Sequence, residues 1–302
     1  MYNGPFMPET DGTWTVRRLL EWTTPFFTRK GVDSPRLSAE LLLGHVLGVP
    51  RIKLYTDYDR PLEARQLAAY RELVRRAAED EPVAYLTGRA HFFSLEFAVT
   101  RDVLVPRPDT ETLVENVIQL IRHRAELANA RVLDLCTGSG CIAAAIAHNV
   151  KDAIVVATDI SPAAVAVARE NLERLGLVPR VLIEEGDLFA PLERLVDRQP
   201  FHLLVANPPY IPTGQIAQLD RSVREYEPLS ALDGGLDGLA IHRRILSESP
   251  SHLFPGAHVF LEIAFDQAEL AREIAAEHPE FTDVRIFKDQ AGNDRVLAAR
   301  RV

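Results

Sequence analysis

Cysteine is nearly missing from this 302-residue sequence, which carries only Cys136 and Cys141. Two thiols five positions apart exclude a disulfide framework and fit no common zinc pattern. No stretch approaches the roughly 18 apolar residues that a membrane-spanning helix needs, so no membrane association is expected. The opening residues, MYNGPFMPETDG, lack a basic start followed by an apolar run. No secretory signal is therefore read, and a reducing cytoplasmic compartment is expected. The nine histidines form no H-x-x-x-H pair and no acidic cluster, so no metal is expected. Excess positive charge is also lacking: the net charge is −9. Residues 1–90 hold 13 basic and 12 acidic residues, leaving 21 and 31 for residues 91–302. Such a balance argues against a protein that wraps nucleic acid.

What is present is ordinary for a globular chain, with 47% apolar and 25% charged residues, and the length suits two domains. From Thr13 to about Ala90 the pattern is helical throughout. Val16, Leu19, Leu20, Phe26 and Phe27 recur at helical spacing before a stop at Gly31. Ser34-Pro35 reads as an N-cap with proline at the first helical position, leading to a stop at Gly48. A third helix follows Asp59-Arg60-Pro61, with Leu67, Tyr70, Leu73, Val74 and Ala77 turned inward. Arg71, Arg75 and Arg76 form a basic patch there, read as a solvated face. Alternation over Phe93–Val99 then predicts a strand, half of a hairpin that ends near Val105. A helix capped by Asp109 should follow Pro106 and Pro108.

Beyond residue 131 strands and helices alternate. The strand candidates are Arg131–Cys136, Ala153–Thr158, Arg180–Glu184, His202–Ala206, His258–Ile263, Val284–Phe287 and Arg295–Ala299. The first four are near-continuous apolar runs, as expected of parallel strands covered on both faces. The expected fold is α/β: a doubly wound, seven-stranded Rossmann-like domain over 107–302. It is preceded by a small all-α bundle over 1–90 and a β-hairpin linker over 91–106.

Chemistry concentrates at two turns. In Asp134-Leu135-Cys136-Thr137-Gly138-Ser139-Gly140, the first strand ends and a helix over Ile142–His148 begins. The glycines allow a sharp turn close to a ligand, and the helix N-terminus favours an anionic group. Asp159, at the end of the second strand, can accept both hydroxyls of a ribose. Alone this pattern suits NAD as well as S-adenosylmethionine. Asp134 can face the amino group of an amino acid, and Asp187 in Gly186-Asp187-Leu188 can accept from an adenine amino group. Three acids around a glycine turn suit a cationic sulfonium cofactor.

The second turn is Asn207-Pro208-Pro209-Tyr210, after the fourth strand. Consecutive prolines force the chain out at the sheet's carboxyl edge. There the Asn207 side-chain oxygen and the Pro208 carbonyl can each accept one N–H of a planar NH₂ group, with Tyr210 against its π-face. Such a nitrogen is a poor nucleophile, and two acceptors both aim it and stabilise its developing charge. Adenine N6 and a glutamine amide satisfy this motif equally. The long segment Ile211–Gly238, with Gly214, Gly234, Gly235 and Gly238, is either a substrate-binding element or a connector.

Several motifs together resemble the HemK/PrmC family. They are Gly88-Arg89, Val105-Pro106-Arg107-Pro108-Asp109-Thr110-Glu111, the two turns above, Tyr226-Glu227-Pro228, Ala231–Gly235 and Ala291-Gly292-Asn293-Asp294-Arg295. The resemblance implies a class I S-adenosylmethionine-dependent methyltransferase that modifies the glutamine N5 of the Gly-Gly-Gln motif in peptide chain release factors. It implies that the helical bundle docks the release factor and that Arg107 to Glu111 border the cofactor pocket. Asn207, Pro208, Pro209 and Tyr210 would be catalytic. Arg107, Thr110, Asp134, Cys136, Thr137, Gly138, Ser139, Gly140, Asp159, Asp187, Leu188 and Asn207 would hold the cofactor. A monomer is expected, with no direct nucleic-acid substrate.

Cys136 stands where the family often has glycine, His91 where it has glutamate, and Ala264-Phe265 where it has Gly-Tyr. The Cys136/Cys141 turn is also familiar from a sister branch acting on a ribosomal protein glutamine, whereas the intact Arg107–Glu111 run favours release factors. Other open readings are an adenine N6-methyltransferase acting on nucleic acid, an NAD-dependent oxidoreductase, and a silent cofactor-binding scaffold.

Overall fold

In a computed structural model, which describes residues 13–302, the helical signals of the first ninety residues become five helices. These are α1 (Val16–Lys30), α2 (Pro35–Leu47), α3 (Arg51–Thr56), α4 (Ala64–Ala77) and α5 (Val83–Thr87). Residues 1–12 of the helical region expected over 1–90 lie outside the described residues. Gly31 and Gly48 end α1 and α2 in the left-handed conformation, donating back to the last carbonyls. Ser34 does not cap α2 as expected. Its own φ is 44°, and Ser38 Oγ instead donates to the Asp33 carbonyl at 2.7 Å. Leu19, Leu20, Phe27, Leu42, Leu43 and Val74 are fully buried around Tyr70, whose hydroxyl donates to Thr23 Oγ1 at 3.1 Å. Two arginines of the basic patch on α4 are paired locally, Arg75 with Glu72 and Glu79 and Arg76 with Glu81. Helices α3 and α5 are too short to leave a periodic signal and were not expected.

The chain divides into two compact units, Met1–Gly88 and Arg89–Val302. The hairpin belongs to the second unit and is shorter than the expected 91–106: β1 (Arg89–Phe92) pairs with β2 (Leu95–Ala98). The run read as one strand over Phe93–Val99 contains the turn itself. Phe93 and Ser94 both have positive φ, 50° and 64°, the twist a two-residue hairpin loop requires. No glycine, asparagine or aspartate marked the spot.

Next come α6 (Glu111–His123), β3 (Arg131–Leu135), α7 (Cys141–Asn149), β4 (Ile154–Asp159), α8 (Pro162–Leu175), β5 (Val181–Glu185) and β6 (Phe201–Ala206). The chain ends with α9 (Arg221–Arg224), α10 (Ala240–Glu248), β7 (Leu253–Glu262), α11 (Ala268–Ala276), β8 (Phe281–Lys288) and β9 (Asp294–Arg301). All seven expected strands are present, in the order β5-β4-β3-β6-β7-β9-β8. The first five are parallel, and β9 runs antiparallel between β7 and the edge strand β8. Cores lie on both faces, one around Val132, Ala144, Val155 and Val205 and the other around Leu133, Leu204, Val259 and Leu297. This two-sided burial explains the unbroken apolar runs. Strand order reverses between β3 and β6, so the crevice beyond their carboxyl ends is where ligands bind in such sheets. Among the described residues, no helix is long and apolar enough to cross a membrane.

Candidate active site

Both motif turns leave the sheet at this reversal. Leu135 pairs with Ala206, so Cys136 and Asn207 emerge side by side. A cavity of about 300 Å³ opens there, lined by Arg107, Thr110, Cys136, Thr137, Gly138, Ser139, Asp159, Asp187, Leu188, Asn207 and Pro209. Strand register thus brings together residues drawn from across more than a hundred positions.

The turn after β3 is built on backbone few side chains tolerate. Cys136, Gly138 and Gly140 have φ of 58°, 55° and 79°. At Gly140 a β-carbon would also lie 3.2 Å from that of Ala168 on α8, so the helix approaches the turn only because glycine is there. Asp159 Oδ2 accepts from the Gly138 N–H at 2.8 Å, and Oδ1 from the Ser161 N–H at 2.9 Å. Each oxygen keeps a further lone pair directed by this fixed geometry. Burial raises the Asp159 carboxyl above its ordinary range, against the two N–H bonds.

Asp134 is placed differently from the expectation that it faces a ligand. It is fully enclosed behind the turn, where it accepts from Thr137 Oγ1 at 2.6 Å and the Ala143 N–H at 3.2 Å. Its Oδ1 is buried without a hydrogen-bond partner, and burial pushes the carboxyl up to about 7. Of the other expected site residues, Gly140, Pro208 and Tyr210 do not line this cavity; Pro208 and Tyr210 belong to the turn whose Asn207 and Pro209 do. Asp187 lines the cavity, but Arg244 on α10 holds it with two bonds of 3.0 and 2.9 Å. Burial raises the thiols of Cys136 and Cys141, the latter to about 12, which leaves both un-ionised small side chains.

Asn207 Nδ2 donates to Thr110 Oγ1 at 3.2 Å. Since the two hydrogens sit on the nitrogen, the side-chain oxygen is left to accept from elsewhere. Tyr210 donates its phenolic O–H to Glu262 Oε1 at 3.3 Å, and its backbone carbonyl accepts from Gln267 Nε2 at 2.8 Å. Burial, then the nearby Glu262 charge, raises the phenol, so Tyr210 stays protonated.

The Arg107–Glu111 run divides its labour. Arg107 pairs with the buried Glu227 at 2.6 Å, which unites two of the quoted motifs. Asp109 does not cap α6; it pairs with Arg295 at 3.1 Å, and Arg295 also holds Asp289 at 3.2 Å. Glu111 Oε1 accepts from the Phe93 N–H at 2.7 Å, anchoring the hairpin turn. The segment after Tyr210 folds back on it: Ile211 N–H donates to Leu232, Gly234 N–H to Ile211 and Thr213 N–H to Gly235.

Glu262, Arg244 and Gln267 escaped sequence reasoning, whereas Arg295 stood in a quoted motif without a role. For Glu262 a signal existed: it is an acid closing an apolar strand, the same pattern that drew attention to Asp134.

Residues 18–88 match the family described as PrmC N-terminal domain, and residues 110–221 match the Methyltransferase small domain. A Geobacter sulfurreducens protein named release factor glutamine methyltransferase is 43% identical over 294 residues, 97% of this chain and 99% of its own. One of the same name from Rhodopirellula baltica is 43% identical over 298 residues, covering 98% and 100%. The fold is also that of the human Mettl16 catalytic domain in complex with MAT2A 3'UTR hairpin 6. That likeness has a TM-score of 0.52 at 16% identity, covering 74% of this chain and 81% of that one. With near-complete coverage at this level of identity, the chain belongs to the release factor glutamine methyltransferase family.

Proposed function

We propose that this protein transfers the methyl group of S-adenosylmethionine to the side-chain amide N5 of the glutamine in the Gly-Gly-Gln motif of peptide chain release factors. The observation that carries this reading is the tether of Asn207 Nδ2 to Thr110, which commits the Asn207 oxygen to accepting an N–H at the cavity's edge. An NH₂ group on an sp² carbon is what such an acceptor selects.

The cavity suits the cofactor. Asp159 offers two fixed oxygens to a ribose, and Ile160, Leu188 and Ile241 supply apolar faces for a flat base. Asp187 keeps lone pairs beyond those Arg244 occupies. The buried, unpartnered Asp134 Oδ1 and Ser139 Oγ make the turn electronegative, favouring a cation over a pyrophosphate. Asp134 acts from behind the turn, through Thr137. When bound, S-adenosylmethionine supplies an electrophilic methyl group.

The protein's own part is positional. Asn207 Oδ1 and the Pro208 carbonyl take the two N–H bonds of the substrate amide and hold its nitrogen toward the methyl group. As the nitrogen gains positive charge, both acceptors strengthen, which is where catalysis is gained. Tyr210, kept protonated and fixed by Glu262, flanks the amide plane. No strong base is required, because an N-methylated amide cation gives up its proton readily to water.

The helical residues up to about 90 dock the release factor, and the hairpin connects them to the catalytic part. The protein works as a cytoplasmic monomer on a protein substrate and takes no nucleic acid directly. The test is Asn207→Ala. Turnover should fall by about a hundredfold or more, while calorimetry finds S-adenosylmethionine affinity within a few-fold and no NAD binding. Unchanged turnover would refute the assignment.

A further inference from the structure

A second cavity, of about 280 Å³, opens between α6 and the antiparallel edge of the sheet. Among the described residues it shares no lining residue with the cofactor cavity. Its floor follows from strand register. His258 and Phe260 lie on one face of β7, and their partners on β9, Arg300 and Ala298, stand beside them. Phe287 of β8 stacks on Phe260 with ring centroids 6.4 Å apart.

The edge strand departs from even pairing at this point. With Thr282 opposite Arg300, an unbroken ladder would set Val284 opposite Ala298. One extra residue intervenes, with Asp283 at a φ of 55°, so Arg285 takes that place on the cavity floor. Backbone that a side chain rarely adopts is thus what brings an arginine here. The wall is polar as well. Asn116, Gln119, Leu120 and His123 share one face of α6 by their spacing, where a helix laid on a sheet ordinarily turns apolar residues.

Arg124, Arg285 and Arg300 all line the cavity. Asp283, 3.9 Å from Arg300, is the one carboxylate on its lining among the described residues, and Glu126, 4.0 Å from Arg124, lies outside it. The C-terminus of α6 adds only about half a negative charge. Three guanidiniums therefore outweigh the local acid, in a part of the chain with 21 basic and 31 acidic residues. His258 Nε2 is buried without a hydrogen-bond partner. Burial, then Arg124 and Arg300, lower that imidazole to about 4, so it is neutral and adds no charge of its own.

We propose that this cavity is a second ligand site, which takes a small phosphate monoester. Arg124, Arg285 and Arg300 hold the phosphoryl oxygens, and Leu120, Phe260 and Phe287 pack against the organic body. A carboxylate offers two oxygens and a phosphoryl group three, which suits three guanidiniums carried by separate elements. The volume is close to that of the cofactor cavity and near the lower end for small-molecule sites, so room remains for a body of modest size. The site is independent of the methyl-transfer reading.

The experiment is calorimetry on the full chain at about 50 mM salt, with the cofactor cavity saturated by S-adenosylhomocysteine. Phenyl phosphate, inorganic phosphate and an RNA oligonucleotide are the probes. Phenyl phosphate should bind saturably at one site, and about tenfold or more tighter than inorganic phosphate. Arg285→Gln and Arg300→Gln, both at exposed positions, should each weaken it by about tenfold. Both should bind S-adenosylhomocysteine within a few-fold of wild type, which shows that they fold. Arg272→Gln, the same charge change on α11, should leave phenyl phosphate binding unaltered. No saturable binding, equal affinity for inorganic phosphate, or an equal loss in R272Q would overturn the proposal. Binding of the RNA without binding of phenyl phosphate would overturn it too, by marking a nucleic-acid face instead.

Discussion

A β-carbon on Gly238 would lie 2.3 Å from the carbonyl oxygen of Tyr210 and 2.4 Å from Gln267 Nε2, and its φ is 84°. The residue lacks a side chain because the segment after the catalytic turn must lie against that turn's backbone. Gly238→Ala therefore pushes on the hydrogen bond from Gln267 that holds Tyr210. It should cost about 2 kcal/mol or more in chemical unfolding and lower turnover with it. An alanine variant of wild-type stability and rate would contradict this account of the segment. The residue scale is also where sequence reading was most uneven. Asn207–Tyr210 and Asp134–Gly140 were legible because each turn's chemistry is contiguous. Thr110 and Glu262 lie 97 and 52 or more positions from the groups they hold, Asn207 and Tyr210. Thr110 comes from the turn ahead of α6 and Glu262 from the end of β7, so no local pattern announces which group each one meets. Asp134 was legible as a special acid, but its direction was not. Whether a carboxylate looks into a cavity or behind it depends on one rotamer, here fixed by Thr137 and Ala143.

Elements were legible in proportion to length and burial. The seven strands of the sheet appear within a few residues of their expected positions, because apolar runs covered on both faces leave a dense signal. Helices α3 and α5, of six and five residues, leave none. The hairpin shows how a turn without turn residues misleads. Phe93 and Ser94 hold left-handed backbone at a cost, and Glu111 offsets it by taking the Phe93 N–H. Ser94 is exposed, so Ser94→Gly relieves strain without opening a hole. It should stabilise the protein by about 0.5–1 kcal/mol, read as a higher denaturant midpoint at unchanged activity. Destabilisation instead would mean that the serine side chain makes a contribution the turn geometry does not reveal.

For the whole molecule, the chain divides after Gly88 into two compact units. Every residue lining the cavity falls between Asp102 and Arg244, in the second unit. A chain of residues 89–302 should therefore bind S-adenosylmethionine within about threefold of the full protein, since no cavity wall is lost. If the helical unit docks the substrate, that chain should also lose most methylation of an intact release factor. Full activity of the truncated chain would remove the docking role, and loss of cofactor binding would show that the units are not separable. The net charge of −9 also reads differently at this scale. The excess acid belongs to the catalytic part, where Asp159 and Asp187 line the cavity and Asp134 lies enclosed behind its turn. A protein substrate demands no polyanion-binding face. The central claim is tested most directly by incubating the enzyme with S-adenosylmethionine and its cognate release factor, then mapping methyl groups by peptide mass spectrometry. One methyl group on the Gly-Gly-Gln glutamine, absent with Asn207→Ala, is the predicted result. An unmodified glutamine, or methylation on another residue in its place, would contradict the account.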